Sequence, residues 1–303
     1  DKKEEIETRQ QAIQELSQYN DFRETFRITG CLNKNDETTM SDLKEWIASP
    51  SVFLQKRSNQ WICWAVPVIN IILFVLGMMN VISMSWFGLA FCSFAIASSK
   101  LIRKITLIQE SYNKTLKMLS TYVRLIELAD KQSMESPLLI ALKKEFENHG
   151  KKAPEVLGML AKELDRLDLR NNLILYALLE GSMFWQLRQM LRIERWKKEY
   201  GTHLLQWIEA LGNLDALCAL GTFAFNHEEY TYPIITDQPF VFRAKDMGHP
   251  LMPWKQCVVN DAEIPQRPYF LIITGANMAG KSTYLRTIGC NYILSCIGAP
   301  VCC

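Results

Sequence analysis

Between Arg57 and Lys100 the chain has no Asp, Glu, Lys or Arg, a gap without parallel in the rest of its 303 residues. It also lacks an excess of either charge sign, since 34 Lys and Arg face 32 Asp and Glu. That balance gives no global electrostatic case for nucleic acid or another polyanion, although a local patch can exist within a neutral total. With 49% hydrophobic and 22% charged residues, it also excludes a disordered or collagen-like chain. The nine cysteines are odd in number and include no Cys-x-x-Cys pair, and only four His accompany them. Neither a disulfide framework nor a zinc site is indicated, and reduced thiols in a cytosolic setting are expected. At roughly 100–200 residues per domain, the length fits two or three units.

The charge-free stretch, residues 58–99, reads as a transmembrane helical hairpin. Crossing a hydrocarbon core of ~30 Å takes about 20 helical residues, so the stretch supplies two passes with a break near Gly77 to Ser85. Lys56 and Arg57 flank it on one side, and Lys100, Arg103 and Lys104 on the other. Positive flanks at both ends place both on the cytoplasmic face of an integral membrane protein, with Trp61 and Trp86 suited to the water interface. The competing reading is a helical hairpin buried inside a soluble protein. A secretory signal is disfavoured, because the stretch is too long and starts too deep in the chain.

Residues 1–57 read as a helical core segment. Ile6, Ile13, Leu16 and Phe22 recur at helical spacing from Glu4 to Phe26, a polar loop runs from Asn33 to Thr39, and a second helix covers Met40 to Ala48. Residues 100–227 read as a helical lever or core bundle. Its apolar seams are Leu116, Leu119, Val123 and Ile126; then Leu157, Leu160, Leu164, Leu167, Ile174 and Leu178, with Asn171 at one seam position; then Leu204, Trp207, Leu211, Leu214 and Cys218. Breaks are expected at Ser136–Pro137, at 148–154 and around Gly201. The basic run Arg188, Arg192, Arg195, Lys197 and Lys198 reads as a solvated helix face, with phosphate binding as the alternative. From about residue 228 the pattern changes to Pro, β-branched and aromatic residues, which predicts short strands and a mixed α/β domain.

The stretch LIITGANMAGKSTYLRTIG holds the most specific motif. Gly275, Gly280, Lys281 and Ser282 satisfy G-x-x-x-x-G-K-[ST], the phosphate loop of nucleoside triphosphatases. A chance match in a chain this long is expected at about the 1% level. Context strengthens it: Tyr269 to Thr274 reads as a buried strand, and Lys281 to Ile297 as a helix closed by Gly298 and Pro300. In such a loop the glycines let successive backbone N–H groups turn towards phosphate oxygens, and the helix N-terminus adds its positive end. Lys281 is the expected catalytic residue, contacting the β- and γ-phosphates of ATP. Ser282 is the expected Mg²⁺ ligand, and Thr283 sits near the α-phosphate. Gly275, Ala276, Asn277, Met278, Ala279 and Gly280 form the rest of the cradle. Hydrolysis also needs a carboxylate pair on a later strand. None follows the loop, and the chain starts at Asp1 rather than Met, so a fragment of a longer protein, inactive by itself, is expected.

This loop resembles that of the MutS family of DNA mismatch-repair ATPases, in which an Asn-Met pair precedes Gly-Lys-Ser-Thr and Tyr-Leu-Arg follows. Asn277 and Met278 set it apart from most other phosphate loops, and Ala276 and Ala279 depart mildly from the family's Pro and Gly. GHPLM at Gly248 to Met252 resembles the family's Arg-His-Pro segment, with Gly248 in place of Arg. VVND at Val258 to Asp261 resembles the segment before the ATP-site strand. There the family offers a phenylalanine and an aliphatic residue to adenine, and the matching positions are Cys257 and Val258. Leu204 to Ile235 and Glu7 to Phe26 are similar to the end and the beginning of the family's helical core. The resemblance implies an α-helical core and lever, interrupted by the hydrophobic hairpin, followed by the start of an α/β P-loop NTPase domain over residues 228–303. It further implies ATP and Mg²⁺ as cofactors, a homodimer formed through the ATPase domain, and double-stranded DNA, mismatched or branched, as a partner. No mismatch-reading domain with its Phe-x-Glu wedge is in view, and the hairpin has no counterpart in soluble mismatch sensors, which points to membrane-anchored MutS-like proteins.

The leading expectation is therefore an ATP-binding MutS-like protein, an ATPase when full length, that couples nucleotide state to lever movement at the cytoplasmic membrane. The alternatives are a nucleic-acid clamp, a transporter with a fused ATPase, and a membrane-anchored scaffold with a degenerate nucleotide site and no role in DNA repair. The Asn277–Met278 loop speaks against the transporter.

Overall fold

The computed structural model describes residues 3–31, 40–148, 150–166, 173–237, 241–253, 256–265, 269–276 and 280–303. The expected polar loop at Asn33 to Thr39 and the seam positions Leu167 and Asn171 lie outside them. The fold is mostly helical, with two small two-stranded antiparallel sheets among the described residues. Its chain divides into two compact units, each assembled from separate stretches of sequence.

One unit comprises residues 1–27, 130–144 and 210–303. It holds α1 (Lys3–Gln18), most of α2 (Asn20–Cys31), α6 (Pro137–Glu145), the end of α9 (Trp185–Asn226), β3 (Phe242–Met247), β4 (Asn260–Ile264) and α10 (Lys281–Cys296). The amphipathic stretch expected as one helix from Glu4 to Phe26 breaks at Tyr19. Arg23 explains the break. Its buried guanidinium turns back to donate to the carbonyls of Leu16 and Ser17 at the end of α1, where helical acceptors run out of donors, and to Asn20 Oδ1 at the start of α2. Burial pulls the Arg23 pKa down. At the start of α6 the Glu15 carboxylate accepts the N–H groups of Glu135 (2.7 Å) and Ser136 (2.6 Å), just before Pro137. Ile13 and Leu16 of α1, Leu139 of α6 and Leu211, Leu214 and Cys218 of α9 are buried. A Cβ on Gly221 would stand 3.0 Å from Leu16 Cβ, so that glycine permits the close approach of α9 to α1.

The expected strands after residue 228 are present as β3 and β4, which pair antiparallel with an irregularity between Ala244 and Met247. A further bridge joins Thr231 to Val301. The predicted strand at Tyr269 to Thr274 is not formed: residues 269–274 are neither helix nor strand, and Phe270 and Ile272 are 87% and 82% exposed. A buried parallel strand needs pairing neighbours on its edges and cover on its faces, and among the described residues β3 and β4 pair only with each other.

The other unit comprises residues 28–129 and 145–209. It holds α3 (Met40–Ala48), α4 (Arg57–Met78), most of α5 (Met84–Lys131), the hairpin β1 (Glu147–Asn148) and β2 (Lys151–Lys152), α7 (Ala153–Asp165), α8 (Leu173–Met183) and the first part of α9. The charge-free stretch forms α4, a turn at 79–83 and the first part of α5, matching the expected break. Pro67 lies inside α4. Lacking an N–H, it leaves the carbonyl four residues earlier, that of Cys63, without a helical donor. Arg188 of α9 fills the gap by donating to Cys63 O at 2.7 Å. Asn70 Nδ2 donates to Gly181 O (3.0 Å) and Ser182 O (3.1 Å), fixing α4 to the end of α8. The inward side of α4 is thus held by polar bonds, whereas Trp61 and Trp64 stand 71% and 75% exposed and Ile71, Ile72, Val75 and Met78 are exposed with them.

Several expectations are corrected in this unit. Helix α9 runs unbroken through Gly201, where a Cβ would meet Ile47 Cγ2 at 3.1 Å; the glycine serves packing rather than a turn. Leu157, Leu160 and Leu164 are buried, but Leu178 is exposed. Helix α8 instead buries Glu180 and Gly181, with Phe91 filling the space that a side chain at 181 would take. The basic run of α9 is not one solvated face. Lys197 is buried and donates to Trp46 O (2.8 Å), Ser49 O (2.6 Å) and Ser49 Oγ (2.8 Å) at the end of α3. Nearby, the buried Glu194 carboxylate accepts the N–H groups of Phe53 (3.1 Å) and Leu54 (2.6 Å). Burial lowers the Lys197 pKa, and the Glu194 charge opposes that shift.

Candidate phosphate-binding loop

Helix α10 begins at Lys281 directly after Gly280, whose φ of 80° and ψ of 7° are left-handed. A side chain there would meet open space, so the glycine is required by its backbone conformation rather than by crowding. The first turn of a helix leaves N–H groups without helical acceptors. Here it carries Lys281, Ser282 and Thr283 and contains no acidic residue. Ser282 and Thr283 are exposed. The Lys281 ammonium folds over the loop, donating to the carbonyls of Gly275 and, at 2.8 Å, Ala276. The cation is therefore held on the loop by acceptors that a phosphate oxygen can replace.

Two side chains, Tyr284 and Asn291, tie α10 to other segments, and Thr287 bonds within the helix. Tyr284 Oη donates to Asp261 O at 2.9 Å, which ties the second turn of the helix to β4. Thr287 Oγ1 donates to Thr283 O at 2.9 Å. Buried Asn291 donates to Gly248 O (2.9 Å) and accepts from Cys302 N (2.9 Å), joining the helix to two separate segments. Only the chemistry of a buried amide at an otherwise apolar helix position hints at such a role in the sequence. Helix α10 ends before Gly298, at φ 83°, as the sequence predicts.

Of the expected site residues, Gly275, Ala276, Gly280, Lys281, Ser282 and Thr283 fall on the loop and the first turn of α10. Asn277, Met278 and Ala279 lie outside the described residues. Val258, the expected adenine neighbour, is 80% exposed just before β4. The residues present fit a nucleoside triphosphate: a cation held on the loop, a helix N-terminus and no repelling carboxylate in the first turn. Lys281 and the backbone of 280–283 can hold its phosphates, and the Ser282 hydroxyl can contribute to a Mg²⁺ ion. Among the described residues no group of three His, Cys, Asp or Glu side chains is arranged to hold a metal.

No protein-family model matches the chain. Part of the chain is similar to the DNA mismatch repair protein MutS of Acetivibrio thermocellus, with 35% identity over 99 residues, 30% of this chain and 11% of the relative. The corresponding protein of Exiguobacterium sp. is 35% identical over 127 residues, 41% of this chain and 14% of the relative. A MutS2 protein of Bacillus subtilis is 36% identical over 91 residues, 30% of this chain and 11% of the relative. The chain thus spans only 11% to 14% of the length of these relatives. Over that part, it is related to the MutS family.

Proposed function

We propose that the chain is the nucleotide-binding and lever part of a MutS-like ATPase held at a membrane. The observation that carries the nucleotide reading is the junction of Gly280 and α10, where the left-handed glycine, the acid-free first turn and the Lys281 ammonium converge on one loop. In this reading Lys281 binds the β- and γ-phosphates of ATP, Thr283 lies near the α-phosphate, and Val258 borders the adenine. Ser282 helps hold Mg²⁺, which supplies positive charge against the triphosphate. Gly275, Ala276 and Gly280 border the phosphates, and Asn277, Met278 and Ala279, outside the described residues, belong to the same phosphate-binding stretch in this reading. ATP tightens a homodimer through this domain, and the Asn291 and Tyr284 links pass the change to β4 and to the segments around Gly248 and Cys302.

The relatives' names carry DNA mismatch repair, and we extend to this chain the binding of mismatched or branched duplex between paired helical levers. The membrane reading is supported by α4, whose length and composition suffice to cross a bilayer and whose apolar window is only 17% buried. Helix α9 passes the same test of length and composition but is 44% buried, and we read it as a core helix. Both ends of the α4–α5 hairpin face the cytoplasm in this account.

Lys281→Ala in the full-length protein tests the site. Loss of charge-assisted bonds to phosphate, each worth ~1.5–3 kcal/mol, lowers ATP affinity about 10- to 100-fold. Unchanged ATP binding and turnover would contradict the assignment. DNA binding is checked by titrating branched and mismatched duplex across salt concentrations, where a steep salt dependence is expected.

A further inference from the structure

The segments around Gly248 bring two thiols together. A Cβ on Gly248 would stand 2.8 Å from Cys302 Sγ and 2.9 Å from Cys257 Sγ, so the sulfurs flank the space that this glycine leaves open and are no further apart than the sum of those distances. The pair is held from several sides. His249 N–H donates to Cys257 Sγ at 3.1 Å, Gly248 N–H donates to Cys302 O at 2.8 Å, and Asn291 bonds both Gly248 and the Cys302 backbone. Cys257 is partly exposed, whereas Cys302 is buried.

We propose that Cys257 and Cys302 form a reversible disulfide by exchange with a small-molecule disulfide. Accessibility sets the order of events. The Cys257 thiolate attacks one sulfur of the small disulfide, forming a mixed disulfide and releasing one small thiolate. The Cys302 thiol then gives up its proton and attacks Cys257 Sγ, breaking the mixed bond and releasing the second small thiol. Two cysteine thiols are oxidised to one disulfide, one small disulfide is reduced to two thiols, and the two cysteine protons end on those thiols. The bond joins the segment before β4 to the segment after α10. Any consequence for nucleotide affinity rests on the reading proposed above, but formation of the bond does not.

The test equilibrates the full chain in mixtures of oxidised and reduced glutathione, quenches with acid, alkylates free thiols and maps peptides without reduction. The expected result is one cross-linked peptide pair joining Cys257 to Cys302 and two fewer alkylated cysteines among the nine, reversed by dithiothreitol. Cys302→Ser should trap Cys257 as its glutathione adduct, and Cys257→Ser should leave Cys302 free. Both cysteines alkylated at every ratio, or a bond that uses Cys303 or another cysteine in their place, overturns the proposal. The map reads the bond alone, so its absence leaves the nucleotide reading untouched, and loss of nucleotide binding leaves the bond untouched.

Discussion

The α4–α5 hairpin and residues 269–274 both turn large apolar side chains outward, Trp61, Ile71 and Trp86 in one and Phe270 and Ile272 in the other. Their backbones differ. In α4 the peptide groups are paired within the helix, and the one carbonyl that Pro67 frees is met by Arg188. A surface whose side chains are apolar and whose backbone is satisfied suits hydrocarbon. Residues 269–274 are neither helix nor strand. An apolar extended run of that kind suits a sheet, where strand neighbours supply hydrogen bonds and helices supply cover. Exposure of similar residues therefore carries different backbone consequences: a helix whose peptide groups are already paired in one place, an element that calls for β pairing in the other. Helix α9 is a third case, since it is apolar enough to span a bilayer but spends its apolar face on the protein core.

The largest expected effect comes from placing one charge on each kind of surface. Leu211→Arg puts an unpaired charge in a core and should cost ~3–5 kcal/mol of stability, read by denaturant unfolding. Ile71→Arg should leave the fold intact but weaken membrane partition by ~2.5–3.5 kcal/mol, read by vesicle flotation. Equal destabilisation by both variants would break the contrast. A smaller effect tests the inner side of α4. Arg188→Ala strands the Cys63 carbonyl and should cost ~1–3 kcal/mol; adding Pro67→Ala restores a helical donor and should recover most of the loss, so additive losses would refute the pairing.

A further effect appears only at high pH. Burial pushes the Cys218 thiol from 9.0 to about 12 and the Tyr232 phenol from 10.0 to about 12. A raised folded pKa means that the folded state keeps a proton the unfolded chain has lost. The stabilisation is complete below about pH 9 to 10 and disappears as the pH rises towards 12. Alkaline titration followed by circular dichroism should show melting in that window, with Cys218→Ala shifting its onset upwards.

Sequence periodicity carried the seam of Leu204, Trp207, Leu211, Leu214 and Cys218, because a helix packed on one side must repeat its apolar residues every three or four positions. The charge gap likewise located α4 and the turn after it. What escaped was tertiary. Tyr19 breaks a periodic helix because Arg23 reaches back to cap α1, and Gly201 continues α9 because Ile47 needs the room. Lys197 reads as a surface cation until Ser49 and Trp46 are seen around it. The same division applies to the candidate site. The Gly280–Lys281 junction is a local pattern and was legible. The Tyr284–Asp261 and Asn291–Gly248–Cys302 links join residues far apart in sequence, and no spacing rule reveals them.

The central claim, that the loop before α10 is where ATP binds, is tested most directly by amide hydrogen exchange of the full chain with and without Mg·ATP. The account predicts slowed exchange confined to residues 275–284 and their neighbours in β4, with α4 unchanged. Unaltered exchange in that loop at saturating nucleotide, or protection located elsewhere, would contradict it.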